Sequence, residues 1–103
     1  MSSVAISSQP TVLEQMVVRI IEEQEKIIGP VALEQANTVN GLKIIWGKKE
    51  HQIQITGNGP DVIDELVKHY SELFGRLSVE VCRSASGDLL SKLPSDQVPD
   101  ILR

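Results

Sequence analysis

Apolar positions along this chain follow two different periods. Between residues 12 and 28, Leu13, Val17, Ile20, Gln24 and Ile27 recur at steps of four, three, four and three. Met16, Ile21 and Ile28 widen that stripe, and Glu22, Glu23 and Glu25 lie mostly off it. The spacing predicts an amphipathic helix. Thr11 precedes it and Glu14 follows three residues on, the pattern of a capping box. Gly29-Pro30 interrupts the run, because proline lacks an amide donor and crowds the preceding turn. Proline also suits the start of a helix, so a second short helix is expected over 31–38, closed by Asn40-Gly41.

The period then changes to two. Leu42, Ile44 and Trp46 alternate with Lys43 and Ile45, residues 47–50 read as a turn, and Ile53 and Ile55 alternate with Gln52, Gln54 and Thr56. This predicts a β-hairpin. Gly57-Asn58-Gly59 ends it, and Pro60 opens a helix with Asp61 and Asp64 near its positive end. Val62, Ile63, Leu66, Val67, Tyr70, Leu73 and Phe74 form that helix's apolar face, and Gly75 supplies its stop. In residues 76–83, Leu77, Val79 and Val81 alternate with Ser78, Glu80 and Cys82, which reads as a third strand. Beyond it Leu89, Leu90 and Leu93 suggest a turn or two of helix, interrupted by Pro94 and Pro99.

The expected fold is therefore α+β: a two-layer sandwich with a long N-terminal helix and a three-stranded, mainly antiparallel sheet in the order 2-1-3. A right-handed crossover helix joins the second and third strands, and a short helical C-terminal tail follows. Both helices would cover one sheet face carrying Leu42, Ile44, Trp46, Ile53, Ile55, Leu77, Val79 and Val81. The organisation expected is a flexible N-terminal tail over 1–10, a single domain over 11–83 and a partly helical tail over 84–103.

Length and composition narrow the functional classes. The 103 residues suit one domain, and 41% apolar residues argue against disorder. A formal charge of −4 disfavours DNA, RNA and anionic membrane surfaces. Trp46, Tyr70 and Phe74 are the only aromatic rings apart from the histidines, few for stacking nucleobases. Cys82 is the single cysteine, which rules out an intramolecular disulfide. The first residues lack the basic and apolar regions of a signal peptide, and no apolar run reaches the roughly 18 residues that span a bilayer. A cytoplasmic protein is expected, without membrane, metal or cofactor.

Candidate chemistry is sparse. Gly57-Asn58-Gly59-Pro60 sits between strand and helix, where phosphate loops occur. A dinucleotide fingerprint would need glycine at 62, which is Val62, and Pro60 removes an amide while Asp61 and Asp64 repel anions. Cys82 could pair with His51 or His69 as a nucleophile, but no spacing brings them together. There is no Cys-x-x-Cys and no helical histidine pair; Asp61, Asp64 and Glu65 read as ordinary charges at a helix start. Lys43, Lys48 and Lys49, with Trp46 and His51, cluster near the hairpin turn. Together with Gly57, Asn58 and Gly59 they make up an alternative ligand- or RNA-binding surface. The N-terminal helix is the feature that exceeds ordinary needs. At ~27 Å it outruns a sheet of ~20 Å, so part of its stripe needs another cover. Leu13, Val17, Ile20, Gln24, Ile27 and Ile28 are the candidate interface. Gln24 in the seam resembles the polar position that fixes register between paired helices. The function expected is a non-enzymatic interaction or regulatory module that self-associates through this helix, as a homo-oligomer (a dimer first), or that docks a protein partner.

Overall fold

Local chemistry sets the first boundary as expected. Thr11 Oγ1 accepts from the Glu14 amide at 3.1 Å, and Glu14 Oε1 accepts from the Thr11 amide at 3.0 Å. Two amides that a helix start would otherwise leave unpaired are thus satisfied. The computed structural model describes residues 11–103; the N-terminal tail expected over 1–10 lies outside the described residues. Helix α1 spans Val12–Ile28 and α2 spans Val31–Ala36, with Gly29 at φ 70° between them. Strands β1 (Leu42–Trp46) and β2 (His51–Ile55) follow, then α3 (Gly59–Phe74), α4 (Arg76–Leu90) and two short 3-10 turns at Ser95–Gln97 and Asp100–Leu102.

The hairpin forms in the register that alternation implies. Leu42 faces Ile55, Ile44 faces Ile53 and Trp46 faces His51 across an antiparallel ladder. Those six side chains turn inward, and β2 lies along α1. Lys43, Ile45, Gln52 and Gln54 turn outward and are exposed. Helix α3 opens as proline and asparagine dictate: Asn58 Oδ1 accepts from the Asp61 amide at 3.0 Å, and Pro60 occupies the first turn, where its missing donor is harmless.

The expected three-stranded sheet does not form. Among the described residues the sheet has two strands, and most of the rest is helical. Residues 76–83 are the first half of α4, which runs on to Leu90, so the 2-1-3 order and the strand-to-strand crossover both fall away. Alternation here ran against burial. Leu77 is 71% exposed while Ser78 is 5% exposed, and the buried face is Ser78, Cys82, Ser86 and Leu89. Those positions step by four, four and three, the helical period, but two serines and a cysteine occupy the first three. Small side chains let α4 lie close against α1 and α3, and that packing overrides the strand preference of Val79 and Val81.

Helix α1 is the axis of the core. Met16, Val17, Ile20 and Ile21 are fully buried against Ala32 and Ala36 of α2, Ile63, Leu66, Val67 and Tyr70 of α3, and Cys82 and Leu89 of α4. Tyr70 Oη donates to the Ala32 carbonyl at 2.6 Å, tying α3 to α2. Helix α4 runs antiparallel to α1: Gln24 meets Ser78 near one end, and Arg19 Nη1 lies 2.6 Å from Asp88 Oδ1 near the other. The final residues close on the body. The Ile101 amide donates to Asp64 Oδ1 at 3.0 Å, Arg83 Nε reaches the Leu102 carbonyl at 3.4 Å, and Pro99 and Leu102 are buried. No helix among the described residues is long and apolar enough to cross a membrane.

The join between α2 and β1 leaves no room for a side chain at Gly41. Gly41 has φ +87°, and a Cβ there would sit 2.8 Å from the Thr56 carbonyl oxygen and 3.0 Å from Val62 Cγ2. Replacing Gly41 by Ala is expected to lower stability by about 2 kcal/mol or more. Urea unfolding of G41A checks this, and a midpoint equal to that of the parent chain would refute it.

Candidate functional site

The apolar stripes of α1 and α3 both outrun the core at the same end of the molecule. On α1 the buried series Val17, Ile20, Gln24 continues one step further to Ile27, which is 60% exposed. On α3 the series Ile63, Leu66, Val67, Tyr70 continues to Leu73 and Phe74, 54% and 41% exposed. Gly75, at φ 83°, then turns the chain in a single residue, and Leu77 stands 71% exposed in the first turn of α4. Gln24 ties these pieces together. Its Nε2 donates to the Ser78 carbonyl at 3.1 Å and approaches Cys82 Sγ at 3.4 Å, which places the last turn of α1 beside the α3–α4 corner. Ile27 also lines an open groove between α1 and α4 with Glu23, Glu80, Val81, Ser84 and Ala85. Four of the five large hydrophobic side chains exposed among the described residues therefore gather at one end; the fifth, Ile45, stands alone on the outer face of the hairpin.

The expected interface residues divide along this line. Val17, Ile20 and Gln24 are inside the chain's own core, Leu13 and Ile28 are half-buried, and Ile27 alone is open. Leu13 lies over Gly59, where a Cβ would come within 2.5 Å of its Cδ1. Gln24 does bridge two packed helices, but both belong to one chain. Sequence pattern does not mark Leu73, Phe74 and Leu77 as surface: the first two continue a stripe whose spacing places it in the core, and Leu77 lies in the segment whose alternation predicts a strand.

The alternative ligand residues are not assembled. Lys48 and Lys49 are at the tip of the hairpin, and Gly57, Asn58 and Gly59 are at its base, a strand length of ~17 Å away. Lys43 lies on the outer face, opposite Gln54. Asn58 is engaged as the cap of α3.

His51, His69 and Cys82 are likewise kept apart by their partners. The His51 ring stacks on Trp46 with centroids 3.5 Å apart and planes 9° apart; its Nε2 is 3.6 Å from Glu22 Oε2. Its Nδ1 is buried with no hydrogen-bond partner among the described residues. His69 Nδ1 is 3.2 Å from Thr38 Oγ1. Cys82 is buried, with Gln24 as its polar neighbour. Burial pushes the Cys82 thiol up to about 11, outweighing the opposing pull of the Gln24 hydrogen bond, so at neutral pH it stays protonated and is a poor nucleophile. Burial also raises the Tyr70 phenol, helped by Cys82 and Glu25. No group of three or more His, Cys, Asp or Glu side chains among the described residues is arranged to hold a metal ion.

Compared with protein-family models, curated proteins and solved structures, the chain matches none.

Stability at alkaline pH tests the placement of Cys82 and Tyr70. In an unfolded chain the thiol ionises near 9.0, whereas the folded chain holds its proton to about 11. Between those values the folded state binds more protons, so stability is intact below pH 9 and declines as pH rises toward 11. Tyr70 acts in the same direction from about pH 10 upward. Melting temperature should be level up to pH 9 and fall above it. In Cys82→Ala the onset should move up to the tyrosine range. A level profile to pH 11 would overturn the burial of both groups.

Proposed function

We propose that this chain is a non-enzymatic protein-interaction module whose contact surface is the apolar end built from Ile27, Leu73, Phe74 and Leu77. The observation that carries the reading is the gathering of these exposed side chains where two helices and a corner meet. Apolar surface left in water forgoes about 25 cal/mol for each Å² that a contact would bury. Single exposed hydrophobic residues are ordinary, but several in one place characterise contact surfaces. Self-association through α1 alone would draw on Val17 and Ile20, which the core already uses, so the contribution of α1 to this surface narrows to Ile27. The proposal includes a cytoplasmic setting and a regulatory rather than chemical role. A free, buried, protonated Cys82 supports the first, and the lack of an assembled nucleophile among Cys82, His51 and His69 supports the second.

A contact surface is one the fold itself does not need. Leu77→Ser and Leu73→Gln should each change unfolding free energy by no more than about 1 kcal/mol. Burial-dependent positions on the same stripes set the contrast: Leu66→Ala should lose about 3 kcal/mol. Denaturant unfolding of the three variants checks this. Losses at Leu73 and Leu77 approaching that of Leu66 would assign these side chains to the core and end the reading.

A further inference from the structure

We propose that the free edge of β1 is a second contact surface, which takes an extended acidic segment of another protein as a third strand of the sheet. It is separate from the apolar end and stands or falls independently of it. The phase of the ladder supplies the first reason. The Gly47 amide donates to the Glu50 carbonyl at 3.0 Å at one end of the hairpin, and the Thr56 amide donates to the Gly41 carbonyl at 2.8 Å at the other. Hydrogen-bonded and open pairs alternate between these ends, so Lys43 and Ile45 engage their backbone groups with β2. Ile44 and Trp46 point theirs away from it, and no backbone group among the described residues bonds to either. The Leu42 amide is already closed by its bond to the Val39 carbonyl at 3.3 Å. Such an edge is matched by another extended chain, whose donors and acceptors recur at the same two-residue step.

Natural edges are blunted by a bulge, a proline, a covering element or a charge. Strand β1 runs in unbroken register and contains no proline. Helix α1 runs alongside β2, and among the described residues β2 is the only element packed extensively along β1. What remains is charge, and its sign selects the occupant. The outer face of the strands shows Lys43, Ile45, Gln52 and Gln54, so its one charge is positive. Lys48 and Lys49 add to it at the tip, against Glu50; Lys48 also lines a cleft with Glu22 and Glu25. None of the three lysines has an ion-pair partner among the described residues. A second copy laid along β1 would bring lysines against lysines. A parallel pairing in register sets Lys43 beside Lys43, and an antiparallel one sets the lysine tip of each hairpin beside the Lys43 end of the other. A carboxylate opposite Lys43 reverses that sign. Ile45, 66% exposed and two residues along the same face, is covered by an apolar neighbour. The segment that fits therefore places an apolar residue and a carboxylate two positions apart, where side chains stand closest across the new pair.

The probe is a capped peptide of about 8 residues, two repeats of valine-threonine-glutamate-threonine, long enough for one strand. Its valines and glutamates share one face. Amide NMR of the full chain reads the contact. The Ile44 and Trp46 amides should shift on titration and exchange more slowly with solvent, while those of Leu73 and Leu77 stay unchanged. A peptide with lysine for glutamate should bind about 5-fold more weakly. One with proline for threonine lacks the amides that an added strand donates and should not bind. Lys43→Glu should reverse the order of the glutamate and lysine peptides, a gain that also shows the variant to be folded. Equal binding of the proline peptide would reduce the contact to charge attraction and overturn the added strand. A uridine oligonucleotide that moves the same amides while the peptide does not would overturn the peptide as occupant. So would protection of Ile44 and Trp46 that grows with protein concentration alone, the mark of a second copy. No response to the peptide at millimolar concentration would overturn the surface itself.

Discussion

The rest of the structure depends on the close antiparallel packing of α4 on α1. Gln24 fixes its register. An amide buried in an apolar seam is costly unless it is hydrogen-bonded, and Nε2 finds the Ser78 carbonyl at 3.1 Å and the Cys82 sulfur at 3.4 Å. A slide of one helical turn in one direction would carry the amide past the start of α4 and away from its partners, and a slide either way would part Arg19 from Asp88 at the far end. The exposed ion pair contributes little by itself. With α4 set, α3 follows, because a single glycine connects them. The C-terminal turns follow α3 and α4 in turn, held by Asp64 and Arg83.

Much of this was legible in the residues. The first helix, its capping box, the break at Gly29-Pro30, the hairpin and the proline-started third helix all declare themselves through period and punctuation. Each has a local cause: a side chain bonding its own backbone, a residue that cannot donate, or an alternation that one buried face enforces. The second half of the core did not declare itself. Helix α4 buries Ser78, Cys82, Ser86 and Leu89 and exposes Leu77 and Ser84, so hydrophobicity and burial are nearly uncoupled over its first three turns. The usable signal was size: small residues recur at helical steps wherever α4 meets α1. Reading it required knowing that another helix would press closely there, which is long-range information. The same blind spot hid the candidate site. Leu73 and Phe74 continue a perfect core stripe, and only the placement of α2 and α4 shows that the stripe runs past the core.

That overrun has a geometric origin. The C-terminal turns cover a flank of α3 and the hairpin a flank of α1, its tip sharing a cleft with Glu25 and Lys26, while Leu73, Phe74 and Leu77 at the α3–α4 corner stay exposed. Helix α2 is too short, at six residues, to cover that end. Two long helices packed side by side expose their terminal turns unless a loop folds back over them, and here Gly75 permits no loop at all. A polar corner would have removed the exposed apolar area without loss to the core. Instead Leu73, Phe74 and Leu77 stand within five residues of one another around a one-residue reversal.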